Sequence, residues 1–272
     1  MHPVLIDFGP WPLHTYGLLI ALGFLTAMTL VKRQAEREQE DPDRIVDLAF
    51  WVLIFGLLGA RLVFILTRFR EYMATNPLEM LAFWRGGLVW YGGFIGASLY
   101  VFYFARRYRM NYFKLIDLCM PYAALAHAFG RLGCLAAGCC YGTHTEMPWG
   151  IVFPVGSQPQ SDHQQDGLIG VGDMSLPIHP TQLYEASAEI LLFLLLIWLR
   201  NRKRFHGQLF LTWMALYPLV RSVIEVFRGD KIRGVWFFGI STSQIISICV
   251  AGAAVGMYFH LRKKRLALAN SA

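Results

Sequence analysis

The sequence predicts an all-α, polytopic membrane protein with seven transmembrane helices, and three observations predict it. Of 272 residues, 56% are apolar and only 16% charged, a balance that does not suit water. Apolar stretches approaching the roughly 20 residues a helix needs to cross about 30 Å of hydrocarbon recur seven times. Lys and Arg cluster after alternate stretches. A mean hydropathy of +0.42, with 20 Phe, 12 Tyr and 8 Trp, excludes a disordered chain, a coiled coil and a disulfide-stapled secreted module.

The stretches run 16–31, 46–66, 88–105, 115–137, 183–199, 209–227 and 240–261. No basic residue precedes Lys32, so the chain lacks the charged start of a cleaved signal peptide and the first helix is expected to stay. The third stretch opens on Gly86-Gly87 and Gly92-Gly93 around Trp90 and Tyr91. The fourth carries Asp117, His127 and Arg131, the fifth is short, and the sixth is interrupted by Pro218. Residues 138–182 form a long polar loop within what reads as one integral-membrane domain, 1–272.

Orientation follows from the cations. Four clusters (Lys32, Arg33, Arg37, Arg44; Arg106, Arg107, Arg109, Lys114; Arg200, Arg202, Lys203, Arg204; Arg262, Lys263, Lys264, Arg265) hold sixteen of the 25 basic residues, while 132–199 contains none. The positive-inside rule therefore places the N-terminus and the 138–182 loop outside and the C-terminus in the cytoplasm. A net charge of +7 distributed this way meets anionic lipid at the inner interface, so nucleic acid is not an expected partner.

Nine cations remain: Arg61, Arg68, Arg70, Arg85, Arg131, Arg221, Arg228, Lys231 and Arg233. An Arg within hydrocarbon costs about 2.5–3.5 kcal/mol on insertion scales, so one that persists is paired, snorkelling or lining a polar cavity. Arg61, Arg131 and Arg221 each lie near the outer end of a different helix and are expected to converge in the outer leaflet. Arg221, Glu225 and Arg228 stand at i, i+4 and i+7, within about 40° of one another on a helix. The second Arg leaves surplus positive charge, which calls for an anion; in an outer-leaflet cavity that is a phosphodiester, and a planar guanidinium suits it.

Glycines beside these arginines (Gly130 and Gly133 around Arg131, then Gly138 and Gly142) serve either close helix packing or backbone approach to an anion. Cys119 and Cys249 read as packing residues. Cys134, Cys139 and Cys140 lie near the outer surface, where an oxidising compartment allows Cys134 to bridge to a neighbour. Zinc is not expected there, because the spacing is not C-x-x-C and no second ligand pair is apparent. The loop ends in Ile178-His179-Pro180-Thr181-Gln182-Leu183-Tyr184-Glu185, with Thr181 the expected N-cap of the next helix and its polar groups beside the arginines.

Over nearly its whole length the chain resembles the prolipoprotein diacylglyceryl transferase family. The resemblance rests on Leu13-His14-Thr15-Tyr16-Gly17, Gly59-Ala60-Arg61, Gly86-Gly87, Gly92-Gly93-Phe94-Ile95-Gly96, Phe104-Ala105-Arg106-Arg107, Asp117, Gly130-Arg131-Leu132-Gly133, His179 through Glu185, and Arg221 through Arg228, in that order. It implies a bacterial inner-membrane enzyme with its site toward the outer leaflet and no cofactor or metal. Such an enzyme moves the diacylglyceryl group of phosphatidylglycerol to the lipobox cysteine thiol of a preprolipoprotein and releases glycerol-1-phosphate. It further implies Arg131 and Arg221 at the phosphate, Glu225 and Asp117 orienting them, and a catalytic place for Tyr91. Tyr16, Arg61, Gly92, Gly93, Gly133, Cys134, Gly142, His179, Gln182, Tyr184, Glu185 and Arg228 would contact substrate.

Two departures stand out. The family pattern has His-Gly-Gly where this chain has Tyr91-Gly92-Gly93, so the candidate base is missing and Tyr91 becomes a hydrogen-bond donor or a conditional base. Cys134 and Cys139 replace an Asn and a Glu. The alternatives are a paralogue acting on another lipid and a non-enzymatic seven-helix transporter or receptor. A retinal protein is excluded, since 240–261 has no Lys, and no internal repeat of the transporter kind is evident.

Overall fold

The computed structural model describes residues 4–6, 13–74, 80, 87–229 and 241–270. Arg85, Gly86, Lys231 and Arg233 lie outside the described residues. A short antiparallel pair, β1 (Val4–Ile6) and β2 (Leu13–His14), precedes the helices. These are α1 (Thr15–Arg37), α2 (Pro42–Thr67), α3 (Phe69–Ala74), α4 (Trp90–Arg107), α5 (Tyr112–Ala137), α6 (Gln158–Gln165), α7 (Thr181–Arg200), α8 (Gln208–Glu225) and α9 (Thr242–Asn270).

Each apolar stretch overlaps one of the long helices, in order. Among the described residues, four are both long and apolar enough to cross a membrane: α1, α2, α7 and the Ser243–Leu266 part of α9. The chain is therefore all-helical in class and multi-pass. Pro218 does not interrupt its stretch: α8 runs through it. Such a proline is tolerated in membrane helices, and Ser222 Oγ adds a side-chain bond to the Pro218 carbonyl at 2.9 Å. At the start of α2, Asp41 caps the backbone N–H groups of Asp43 and Arg44, with Pro42 at the first helical position.

The chain divides into two units, one of Met1–Ala27 with Cys119–Ala272 and one of Met28–Leu118. In the second unit α2 and α4 pack backbone to backbone. A Cβ on Gly59 would lie 2.3 Å from the Gly92 carbonyl oxygen, and a Cβ on Gly92 would lie 2.3 Å from that of Gly59. Only glycine permits this approach, which is how helices associate where burial from water gives no drive. Arg61, 8% exposed beside this seam, donates from Nε to the Met80 carbonyl (3.1 Å) and from Nη1 to that of Gly87 (3.2 Å). Phe64 lies under its guanidinium at 5.4 Å.

In the first unit α7 packs on α8 and α8 on α9. The 138–182 loop is a small folded body. Tyr141, Phe153 and Ile178 form its core with Leu135 and Ile151. The Tyr141 hydroxyl donates to Asp162 on α6, and Phe153 and Ser175 exchange two hydrogen bonds of 2.8 and 3.0 Å.

Candidate active site

Three helices of the first unit each carry a polar stripe with a four-residue repeat: His127 and Arg131 on α5, Glu185 and Glu189 on α7, and Trp213, Tyr217, Arg221 and Glu225 on α8. The stripes meet. Glu185, 2% exposed, is the hub: its Oε1 lies 3.0 Å from Arg131 Nη2 and 3.7 Å from Arg221 Nε, and accepts from the Tyr217 hydroxyl at 2.9 Å. Arg221 Nη2 sits 2.7 Å from Glu225 Oε2.

A second carboxylate extends the cluster. Arg131 Nε donates to His127 Nε2 at 3.2 Å, which leaves the imidazole proton on Nδ1, directed at Glu189 Oε1 2.7 Å away. Trp213 Nε1 donates to Glu189 Oε2 at 3.1 Å, and the Trp213 and Tyr217 rings stack at 4.7 Å. Buried charges of this kind persist only when paired and hydrogen-bonded. Arg221 Nη1 departs from this: it is buried without a hydrogen-bond partner among the described residues. A buried guanidinium nitrogen in that state is a donor awaiting an acceptor.

Arg131 and Arg221 thus meet at Glu185, while the expected Glu225 pairs with Arg221. Asp117, wholly buried on α5, belongs to the other unit, as do Arg61, the half-exposed Tyr91, Gly92 and Gly93. In their own unit Arg61 meets carbonyls, and Gly92 serves the helix seam together with Gly93.

Arg228 does not share a helical face with Arg221. α8 ends at Glu225, and Arg228 lies in a segment bridged antiparallel to Gly142. Main chain captures this segment: Gly142 N donates to the His179 carbonyl (3.0 Å), Thr143 N to that of Phe227 (2.8 Å), and Gly229 N to that of Tyr141 (3.1 Å). Gly142 is required there, because a Cβ would come within 2.4 Å of the His179 oxygen and 2.8 Å of the Phe227 oxygen.

Thr181 does not cap α7 either. Pro180 occupies the cap position, and Thr181 Oγ1 donates instead to the Cys140 carbonyl at 2.8 Å while Gln182 Nε2 donates to that of Cys139 at 2.8 Å. The start of α7 is spent on holding the cysteine turn. Cys134, Cys139 and Cys140 carry free thiols rather than a bridge, and their sulfurs lie within 4.8 Å of one another. Gly133 packs against Tyr16 on α1, and the Tyr184 hydroxyl joins His179 Nδ1 (3.1 Å) to Trp149 Nε1 (2.7 Å).

Glu189, Trp213 and Tyr217 were not expected from the sequence. The signal was present: an ionisable Glu189 one turn after Glu185 in an apolar helix, and an aromatic pair one and two turns before Arg221.

Fold and site define a multi-pass helical membrane protein with a buried arginine–carboxylate cluster beside a folded loop. The chain belongs to the prolipoprotein diacylglyceryl transferase family, whose model matches residues 3–260. Relatives named phosphatidylglycerol–prolipoprotein diacylglyceryl transferase include one from Geobacter sulfurreducens, 36% identical over 90% of this chain and 89% of its own. Another, from Clostridium tetani, is 32% identical over 91% and 93%, and a third, from Synechococcus elongatus, 33% over 97% and 89%.

Proposed function

We propose that this protein transfers the diacylglyceryl group of phosphatidylglycerol to the thiol of a lipobox cysteine, forming a thioether and releasing glycerol-1-phosphate. The supporting observation is the Arg131–Glu185–Arg221 junction, with Arg221 Nη1 buried and unpaired. The thiolate attacks an sp3 glycerol carbon, the carbon–oxygen bond breaks, and the electron pair leaves on the phosphate oxygen. A diester with one negative charge becomes a monoester with up to about two, so charge grows where the two guanidinium groups stand. Glu185 and Glu225 hold those groups in place before substrate arrives, and preorganised charge of this kind acts most strongly in a water-poor site.

In the membrane the reading is seven crossings of a bacterial inner membrane, N-terminus and 138–182 loop outside, with both substrates entering sideways from the outer leaflet. Tyr16, Gly133, Gly142, His179, Gln182, Tyr184 and Arg228 surround the head group and the lipobox. The test is direct: full-length protein in detergent receives phosphatidylglycerol and a lipobox peptide, with glycerol phosphate release followed and the thioether identified by mass spectrometry. Lipid consumption without thioether would favour a paralogue acting on another acceptor.

A further inference from the structure

We propose that Cys134, Cys139 and Cys140 form a three-thiolate zinc site whose fourth position takes the incoming lipobox thiol. This rests on the transferase reading above and supplies what that reading lacks, a way to make the thiolate. Tyr91 stands where the family pattern has its candidate base, and it is half-exposed in the other unit.

The three sulfurs lie within 4.8 Å of one another. Zinc–sulfur bonds of about 2.3 Å place tetrahedral sulfurs about 3.8 Å apart, so small side-chain rotations complete the set. The backbone is already arranged for it. Cys139 N donates to the Cys134 carbonyl (3.1 Å) and closes α5, and Gly138 turns the chain at φ +72°. Cys140 then sits at φ +58°, a left-handed conformation that a side-chain-bearing residue rarely adopts. Thr181 and Gln182 hold the carbonyls of Cys140 and Cys139 at 2.8 Å each. A strained cysteine beside two others, with its turn clamped by Thr181 and Gln182 from the separate helix α7, is a constructed feature.

The donor set is all sulfur, which selects a soft or borderline ion, and three protein ligands with an open fourth position are the arrangement of catalytic zinc. Three thiolates and Zn²⁺ carry one net negative charge, and Arg228 and Arg131 both act electrostatically on Cys140. Arg131 and Cys134 are three residues apart on α5, neighbours about 5–6 Å apart on one face. That separation suits a nucleophilic sulfur on one side of a glycerol carbon and its leaving phosphate on the other.

The step balances without a redox partner. The lipobox thiol binds zinc and loses its proton to water. The zinc-bound sulfur attacks the glycerol carbon, the sulfur–carbon bond forms, and the carbon–oxygen bond breaks toward phosphate. The product is a neutral thioether, a poor zinc ligand, so it leaves and the fourth position reopens. The spacing expectation against zinc assumed ligands in two sequence pairs; here the substrate is the fourth ligand.

The full chain in detergent, stripped with chelator and reconstituted under reducing conditions, tests this with zinc(II) and cobalt(II). Expected are about one zinc per chain, affinity at least about 100-fold weaker in Cys140→Ser and Cys139→Ser, and tetrahedral thiolate bands for cobalt. Adding lipobox peptide without lipid should shift those bands as a fourth sulfur binds, a readout on the unmutated protein that needs no turnover. Equal zinc content in the triple serine variant, a mapped disulfide in the active protein, or full transfer after stripping would overturn the zinc site and leave the transferase reading standing. Zinc and peptide bound as expected with no glycerol phosphate released would support the site and overturn the transferase reading instead.

Discussion

Arg61 and Arg131 are both buried arginines beside glycine-rich helices, and the structure holds them in opposite ways. Arg61 is tied to backbone carbonyls of residues 80 and 87 and rests on Phe64, so its donors fasten chain to helix. Arg131 meets a carboxylate and an imidazole that are fixed in turn by Tyr217, Glu189 and Trp213. Carbonyl dipoles neutralise a guanidinium without offering anything to exchange. A carboxylate shared between two guanidinium groups leaves each with spare donors, as the unpaired Nη1 of Arg221 shows. The same residue type thus braces backbone in one region and, in the other, keeps a buried donor without a partner among the described residues.

The largest test of that contrast is Arg131→Ala or Arg221→Ala, expected to lower transfer by about 10³-fold or more in protein that still inserts into the membrane. Full glycerol phosphate release in either variant would break the phosphate assignment. Next, Glu185→Gln keeps the shape but removes the shared charge, and a broken buried pair costs about 3–5 kcal/mol. Both catalytic efficiency and thermal midpoint should fall. Arg61→Ala sharpens the comparison from the other side: its thermal midpoint should drop while KM for phosphatidylglycerol stays put, and a raised KM would place Arg61 among the anion-binding residues.

Smaller effects follow. A lost general base removes about 10²–10⁴-fold, so Tyr91→Phe should stay far below that, and a drop of that size would make Tyr91 the proton acceptor. In the loop, burial, with a lesser contribution from His144, holds the His163 imidazole below its ordinary value, and its Nδ1 accepts from Leu176 N at 3.2 Å. A base depressed in the folded state adds stability above its unfolded value of about 6.5, and that stability is lost as pH falls through the folded value. Amide protection factors across 138–182, corrected for the intrinsic pH dependence of exchange, should therefore be smaller at pH 5 than at pH 7.5, and His163→Gln should flatten the difference.

The helices were legible because apolar length is a direct physical requirement of hydrocarbon, and Arg131 and Arg221 because charge there needs a reason. Pairing between helices was not. Nothing local tells Arg131 to choose Glu185 on α7, since that depends on how the α5, α7 and α8 stripes rotate to face one another. Arg228 was misplaced because the i, i+4, i+7 pattern assumes that the helix continues, whereas main-chain bonds to Thr143 and Tyr141 take over after Glu225. Thr181 failed as a cap for a related reason: a hydroxyl at a helix start has two possible acceptors, and the cysteine turn, distant in sequence, supplied the better one.

Gly142 and Gly229 also bear on how this protein can change. A Cβ on Gly229 would lie 2.5 Å from the Gly142 oxygen, so both positions of this stitch exclude any side chain. Laboratory evolution toward other acceptor thiols should find variants at the exposed positions of 144–176 and recover these two glycines unchanged, because no compensating mutation elsewhere can make room inside a main-chain contact.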